Sequence, residues 1–140
     1  DVAKAQSQEN PVFYVQYAHA RINSIFEKSR ETEGQPATGS RQSACTDFNG
    51  DLFNDEEMRI VKKLLLYPLV FRNAAMSHEP HKITFYLQEL AGMFHPYYHK
   101  HRVITDDGEL TKARLALCSA IGIVLRHGLA ILGVKAPDKM

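Results

Sequence analysis

Apolar residues recur at three- and four-residue spacing in four stretches of this chain, and the strict alternation of a half-buried strand is almost absent. The first stretch opens at Asn10-Pro11, which reads as an N-cap followed by a proline at the first helical position, where a missing N–H costs nothing. Behind it Val12, Val15, Ala18, Ile22, Ile25 and Phe26 line one face to about Arg30. A second helix is expected to start at Asn54, with Glu57 three residues on as a capping partner. Met58, Val61, Leu64, Leu65, Val70 and Phe71 form its expected apolar face toward Met76, and Pro68 is expected to break or kink it. The third helix opens near Glu79-Pro80, buries Ile83, Phe85, Leu87, Leu90, Ala91 and Phe94, and carries a second expected kink at Pro96. The fourth opens at Asp106-Asp107-Gly108-Glu109 and runs through Leu110, Ala113, Leu117, Ile121, Val124 and Leu125 to Leu132. Gly133 then stands where a left-handed C-cap belongs, with Pro137 just beyond. Between the first two helices, Gly34 to Gly50 is rich in Gly, Ser, Thr and Pro and reads as a long surface loop or partly disordered insert. Helices with one apolar face bury it on one another, so the predicted fold is all-α, a bundle of four to five main helices.

Composition narrows the class. At 140 residues, 44% hydrophobic and 24% charged, the chain suits one ordinary globular domain. No uninterrupted apolar run approaches bilayer-spanning length and no secretory signal pattern opens the chain, so no membrane role is expected. The first residue, Asp1, suggests a piece of a longer chain. Cys45 and Cys118 are far apart with no CxxC spacing, which predicts neither a disulfide framework nor a zinc finger and fits a cytoplasmic protein. The net charge of +1 conceals a gradient: Arg41–Glu57 holds five acids against one base, and Met58–Arg102 holds seven bases against two acids. Such a basic stretch can hold a polyanion locally, although any helical protein carries some unevenness.

The densest polar-aromatic cluster is Phe94-His95-Pro96-Tyr97-Tyr98-His99-Lys100-His101-Arg102. Tyr98 and Arg102 share a helix face, as do His95 and His99. Single-stranded RNA loops expose base faces that stack on aromatics and guanidinium planes, and phosphates that pair with Lys or Arg. On the first helix Tyr14, Tyr17 and Arg21 fall on one face beside the apolar stripe, with Gln16 and His19 on neighbouring faces. Both clusters also fit a plainer reading, as half-buried aromatic stripes and snorkelling bases. The histidine pair lacks a nearby acid to complete a metal site, and at mildly acidic pH these histidines are expected to add positive charge toward RNA. For catalysis the chain is poor: there is no phosphate-cradling Gly-rich loop, no H-E-x-x-H and no nucleophile elbow. Cys118 lies on an apolar helix and reads as packing, and the paired acids Glu56-Glu57 and Asp106-Asp107 sit at helix starts, where the dipole explains them.

The segment NPVFYVQYAHARI, Asn10 to Ile22, is very similar to the one that opens the C-terminal anticodon-binding (DALR-type) domain of bacterial arginine–tRNA ligases. His81 to Val103 resembles that domain's third major helix, and Leu115 to Met140, ending GVKAPDKM, resembles its closing helix and tail. Cysteine–tRNA ligases carry a related domain without this opening block. The resemblance covers nearly the whole chain, with Gly34–Gly50 least matched. It implies a helical bundle over 1–140 that grips the anticodon stem-loop of arginine tRNA, with 1–9 the tail of a link to a catalytic domain. It also implies that Tyr14, Tyr17 and Arg21 face the RNA loop and that Tyr98 and Arg102 form the other wall of a shared cleft. Some relatives carry an aromatic in place of Arg102, so stacking there would use a guanidinium plane. Lys100 would supply a phosphate contact, and the terminal carboxylate of Met140 would lie near the anticodon. ATP, magnesium and aminoacylation would belong to the catalytic domain, so this domain is expected to hold no cofactor, to bind no DNA and to catalyse nothing itself. The alternative left open is a helical protein–protein module without an RNA role.

Overall fold

The computed structural model describes residues 10–33 and 47–140. The expected link at 1–9 and most of the expected loop lie outside the described residues; Gly50, assigned to that loop, instead begins a short 3-10 turn, Gly50–Leu52. The described residues form five α-helices: α1 Pro11–Glu33, α2 Asp55–Leu65, α3 Tyr67–Ser77, α4 His81–Lys100 and α5 Gly108–Ile131. The all-α bundle is as predicted, and its hub is α4, which packs against each of the other four, while α1 also lies along α5.

The helix starts follow the local chemistry of the sequence. Asn10 Oδ1 accepts from the Val12 N–H at 3.0 Å, and Asn54 Oδ1 accepts from the Glu57 N–H at 2.9 Å. Glu57 returns the bond to the Asn54 N–H at 2.9 Å, completing a capping box. Asp107 caps α5 by accepting from the Glu109 and Leu110 amides at 3.0 and 3.2 Å. Pro68 acts as expected: the run breaks at Leu66, and the proline takes a first-turn place in α3. Pro96, where a kink was expected, lies inside α4, which runs on to Lys100. α5 ends at Ile131, one residue short of the expected Leu132, and Gly133 takes φ +71° so that the Val134 amide reaches back to the Leu129 carbonyl at 2.9 Å. The same closure ends α3 with His78 at φ 57°, where no glycine announces it.

The apolar faces need two corrections. In α4 the buried stripe is Ile83, Tyr86, Leu87, Leu90, Ala91, Phe94 and Tyr97, while Phe85 is 59% exposed. Tyr86 takes the inward place because it packs on Tyr67 of α3 and donates its hydroxyl to the Lys63 carbonyl at 2.7 Å. In α2 the inward line is Glu57, Ile60, Val61 and Leu64, which leaves Met58 and Leu65 outside. Glu57 is fully buried, so the helix dipole is only part of its role: its Oε1 accepts from the Tyr97 hydroxyl at 2.9 Å and from Arg114 Nε at 2.8 Å. Arg114 in turn donates to the Arg102 carbonyl at 2.7 Å, so one ion pair joins α2, α4, α5 and the turn before α5.

α5 qualifies the membrane expectation. It is long and apolar enough, by length and composition alone, to cross a bilayer. In the bundle its Cys118, Ile121 and Leu125 are instead wholly buried against the other helices. A glycine permits the contact with α4: a Cβ on Gly128 would stand 2.6 Å from a Leu87 methyl.

Candidate nucleic-acid interface

Tyr17 and Arg21 lie one turn apart on α1, and the Tyr17 hydroxyl accepts from Arg21 Nη2 at 3.1 Å. Because α4 packs on α1, Tyr98 is brought to the same guanidinium. The Arg21 Cζ lies 4.6 Å from the Tyr17 ring centre and 4.5 Å from that of Tyr98. The two clusters read from the sequence therefore meet. Among the described residues, it is Arg21 that lies over both phenol rings. Being planar and weakly hydrated, a guanidinium stacks there at a gain of about 0.5–2 kcal/mol per ring.

Open space lies on either side of this stack. One cleft, about 220 Å³, is lined by Phe13, Tyr14, Tyr17, Arg21, His95, Pro96 and His99. The other, about 320 Å³, is lined by Ile25, Lys28, Tyr98, His99, His101, Arg102, Val103 and Ile104. Among the described residues no carboxylate lines either cleft, so both offer aromatic or apolar floors with cationic rims. Arg102 is exposed at the rim of the second cleft beside Tyr98.

The remaining expected residues lie elsewhere. Lys100 lines neither cleft; it donates to Glu56 Oε1 at 3.2 Å, and His101 joins the same carboxylate at 3.0 Å. That contact, with the His101 bond foremost, holds the Glu56 carboxyl below its usual range. Met140 is half exposed at the end of a tail that runs along α1. Gln16 donates to the Lys135 carbonyl at 2.7 Å, and His19, buried at 2% exposure, donates from Nδ1 to the Pro137 carbonyl at 3.0 Å. Asn23 donates to Asp138 at 2.9 Å. Sequence reading gave Gln16 and His19 no task, although His19 and Asn23, one turn apart on an otherwise apolar face, were a usable signal of an internal polar contact.

His95 departs from expectation more sharply. It is 7% exposed, and its Nδ1 lies 3.0 Å from Arg21 Nη1 while its Nε2 lies 3.2 Å from the Tyr14 carbonyl oxygen. Burial, reinforced by the nearby Arg21 and His99, pushes its pKa below the ordinary histidine value against the opposing pull of the Tyr14 carbonyl. It therefore resists gaining the charge that the sequence pattern suggested it would turn toward RNA. Of the cluster Phe94 to Arg102, Phe94 and Tyr97 are sealed in the core, and burial raises the Tyr97 pKa above its usual value.

Residues 15–140 match the DALR anticodon binding domain family. This chain belongs to that family. As a DALR domain it is 48% identical over 141 residues to the arginine–tRNA ligase of Citrifermentans bemidjiense and 50% identical to that of Geobacter metallireducens. Both alignments cover all of this chain and 24% of the relative, so the chain spans about a quarter of the length of these curated relatives. The arginyl-tRNA synthetase of Thermus thermophilus superposes with a TM-score of 0.76 at 28% identity, over 99% of this chain and 22% of that one. Nothing in these likenesses supports the alternative of a protein-binding module without RNA.

Proposed function

We propose that this DALR domain grips the anticodon stem-loop of arginine tRNA on behalf of an arginine–tRNA ligase. Arginine, ATP and magnesium would then be handled by other parts of that enzyme, in the cytoplasm. The observation that carries the reading is the Tyr17–Arg21–Tyr98 stack, flanked by two clefts whose rims are cationic and, among the described residues, free of carboxylates. Splayed bases would stack at the outer sides of this stack, beside His95 and Tyr17 in the first cleft and on Tyr98 in the second. Arg102 and Lys28 would meet phosphates at the rim of the second cleft, and the central anticodon base, a cytosine in the family's usual substrate, would take one of the two seats. Lys100 would contribute through long-range attraction rather than direct contact.

The test is titration of an arginine-tRNA anticodon stem-loop at two salt concentrations with the parent chain, Tyr17→Ala and Tyr98→Ala. Stacking contributes roughly 1–3 kcal/mol per base, so each substitution should weaken binding about tenfold or more without unfolding the bundle. Added salt should weaken it further, as counterion release requires. Binding that is indifferent to salt, to the anticodon sequence and to both tyrosines would defeat the proposal.

A further inference from the structure

Arg21 is held by a third side chain besides its two tyrosines, and that side chain can titrate. A guanidinium has only donors, so His95 Nδ1, 3.0 Å from Arg21 Nη1, must accept. The imidazole proton then sits on Nε2 and is donated to the Tyr14 carbonyl at 3.2 Å. One neutral tautomer satisfies both contacts. A protonated ring would set an N–H and a positive charge against the guanidinium.

We propose that His95 is a positioning residue for RNA recognition: its bare Nδ1 fixes the Arg21 guanidinium in register between Tyr17 and Tyr98, and protonation releases it. The role rests on the anticodon-binding reading above. Among the described residues, the groups facing the ring are Tyr14, Tyr17 and Arg21 from α1 and Phe94 and His99 from its own helix. None is an acid, so none would stabilise a second proton on the imidazole. The ring also stacks on Tyr17, with centres 5.7 Å apart and planes 22° from parallel, so movement of Arg21 would be felt on both sides of the stack.

The experiment compares the parent chain with His95→Leu and His95→Asn, binding a labelled arginine-tRNA anticodon stem-loop at fixed salt from about pH 7.5 to about pH 4.5, from the ordinary histidine range to well below it, because burial lowers the His95 pKa. At neutral pH His95→Leu, which has no acceptor, should bind about tenfold more weakly, as expected for a lost bond to a charged group. His95→Asn places an oxygen acceptor near the Nδ1 position and cannot take up a proton, so it should recover most of that loss. As the pH falls, the parent should lose affinity relative to His95→Asn; His99 is common to both chains and cancels in the ratio. Nitrogen NMR of the free parent chain should show His95 as the Nε2–H tautomer at neutral pH. An Nδ1–H tautomer, a pH-independent ratio, or His95→Leu binding as tightly as the parent overturns the positioning role and leaves RNA binding standing. A parent chain with the expected tautomer that ignores the RNA overturns the anticodon-binding reading and this role with it.

Discussion

Single residues carry the properties most easily measured. His95 has a depressed pKa in the folded chain, so the unfolded chain binds its proton more readily. Stability from this residue is therefore complete above the ordinary value near 6.5 and is lost as the pH falls below it, until the lowered folded value is reached. Thermal melts should show a decline on that interval, at no more than about 1.4 kcal/mol per pH unit, and His95→Asn should remove this part of it. Glu57 is the other sensitive position. With no exposed surface and three bonds to accept, its loss strands Arg114, which keeps only 12% side-chain exposure. Glu57→Ala should cost about 3–5 kcal/mol in urea unfolding, as expected for breaking a buried pair from one side. Glu57→Gln should cost less, because its amide oxygen can still face Tyr97 and Arg114. The adjacency of Glu56 and Glu57 in the sequence hid their difference: one holds Lys100 and His101 at the surface, and the other is an interior anchor.

At the scale of helices, legibility tracks distance along the chain. Caps at Asn10, Asn54, Asp107 and Gly133 are contacts within a few residues, so residue type alone announces them. The pairing of Tyr17 with Arg21 was legible for the same reason. That Arg21 lies over both Tyr17 and Tyr98 was not, because it depends on how α1 and α4 pack. Phe85 and Tyr86 were a further blind spot: both are aromatic and adjacent, and only the position of α3 decides that Tyr86 turns inward. Gly128 is hardest to interpret from sequence, since a glycine within a helix looks like a defect. Alanine there would gain about 1 kcal/mol of helix propensity. It would also drive a methyl into Leu87, which at 1% exposure has nowhere to retreat. Overpacking costs typically about 1–3 kcal/mol, so Gly128→Ala should lower the melting temperature, whereas Gly92→Ala, whose added carbon would meet nothing within 4 Å beyond its own chain neighbours and the local helix backbone, should raise it or leave it unchanged.

Across the whole molecule, the Glu57–Arg114 pair fastens segments that are far apart in sequence. The carboxylate is shared by the first turn of α2, by Tyr97 near the end of α4 and by α5, and Arg114 extends the junction to the backbone at Arg102. None of these helices can detach without exposing a buried charge, so partial opening of any one is penalised nearly as heavily as opening them all. Amide hydrogen exchange should accordingly give the innermost amides of α2, α4 and α5 one common opening free energy, with α3, which takes no part in the junction, free to exchange through smaller excursions. In Glu57→Gln that shared value should split into separate values for the three helices. The same junction thus governs not only how stable this bundle is but whether it melts as one body or piece by piece.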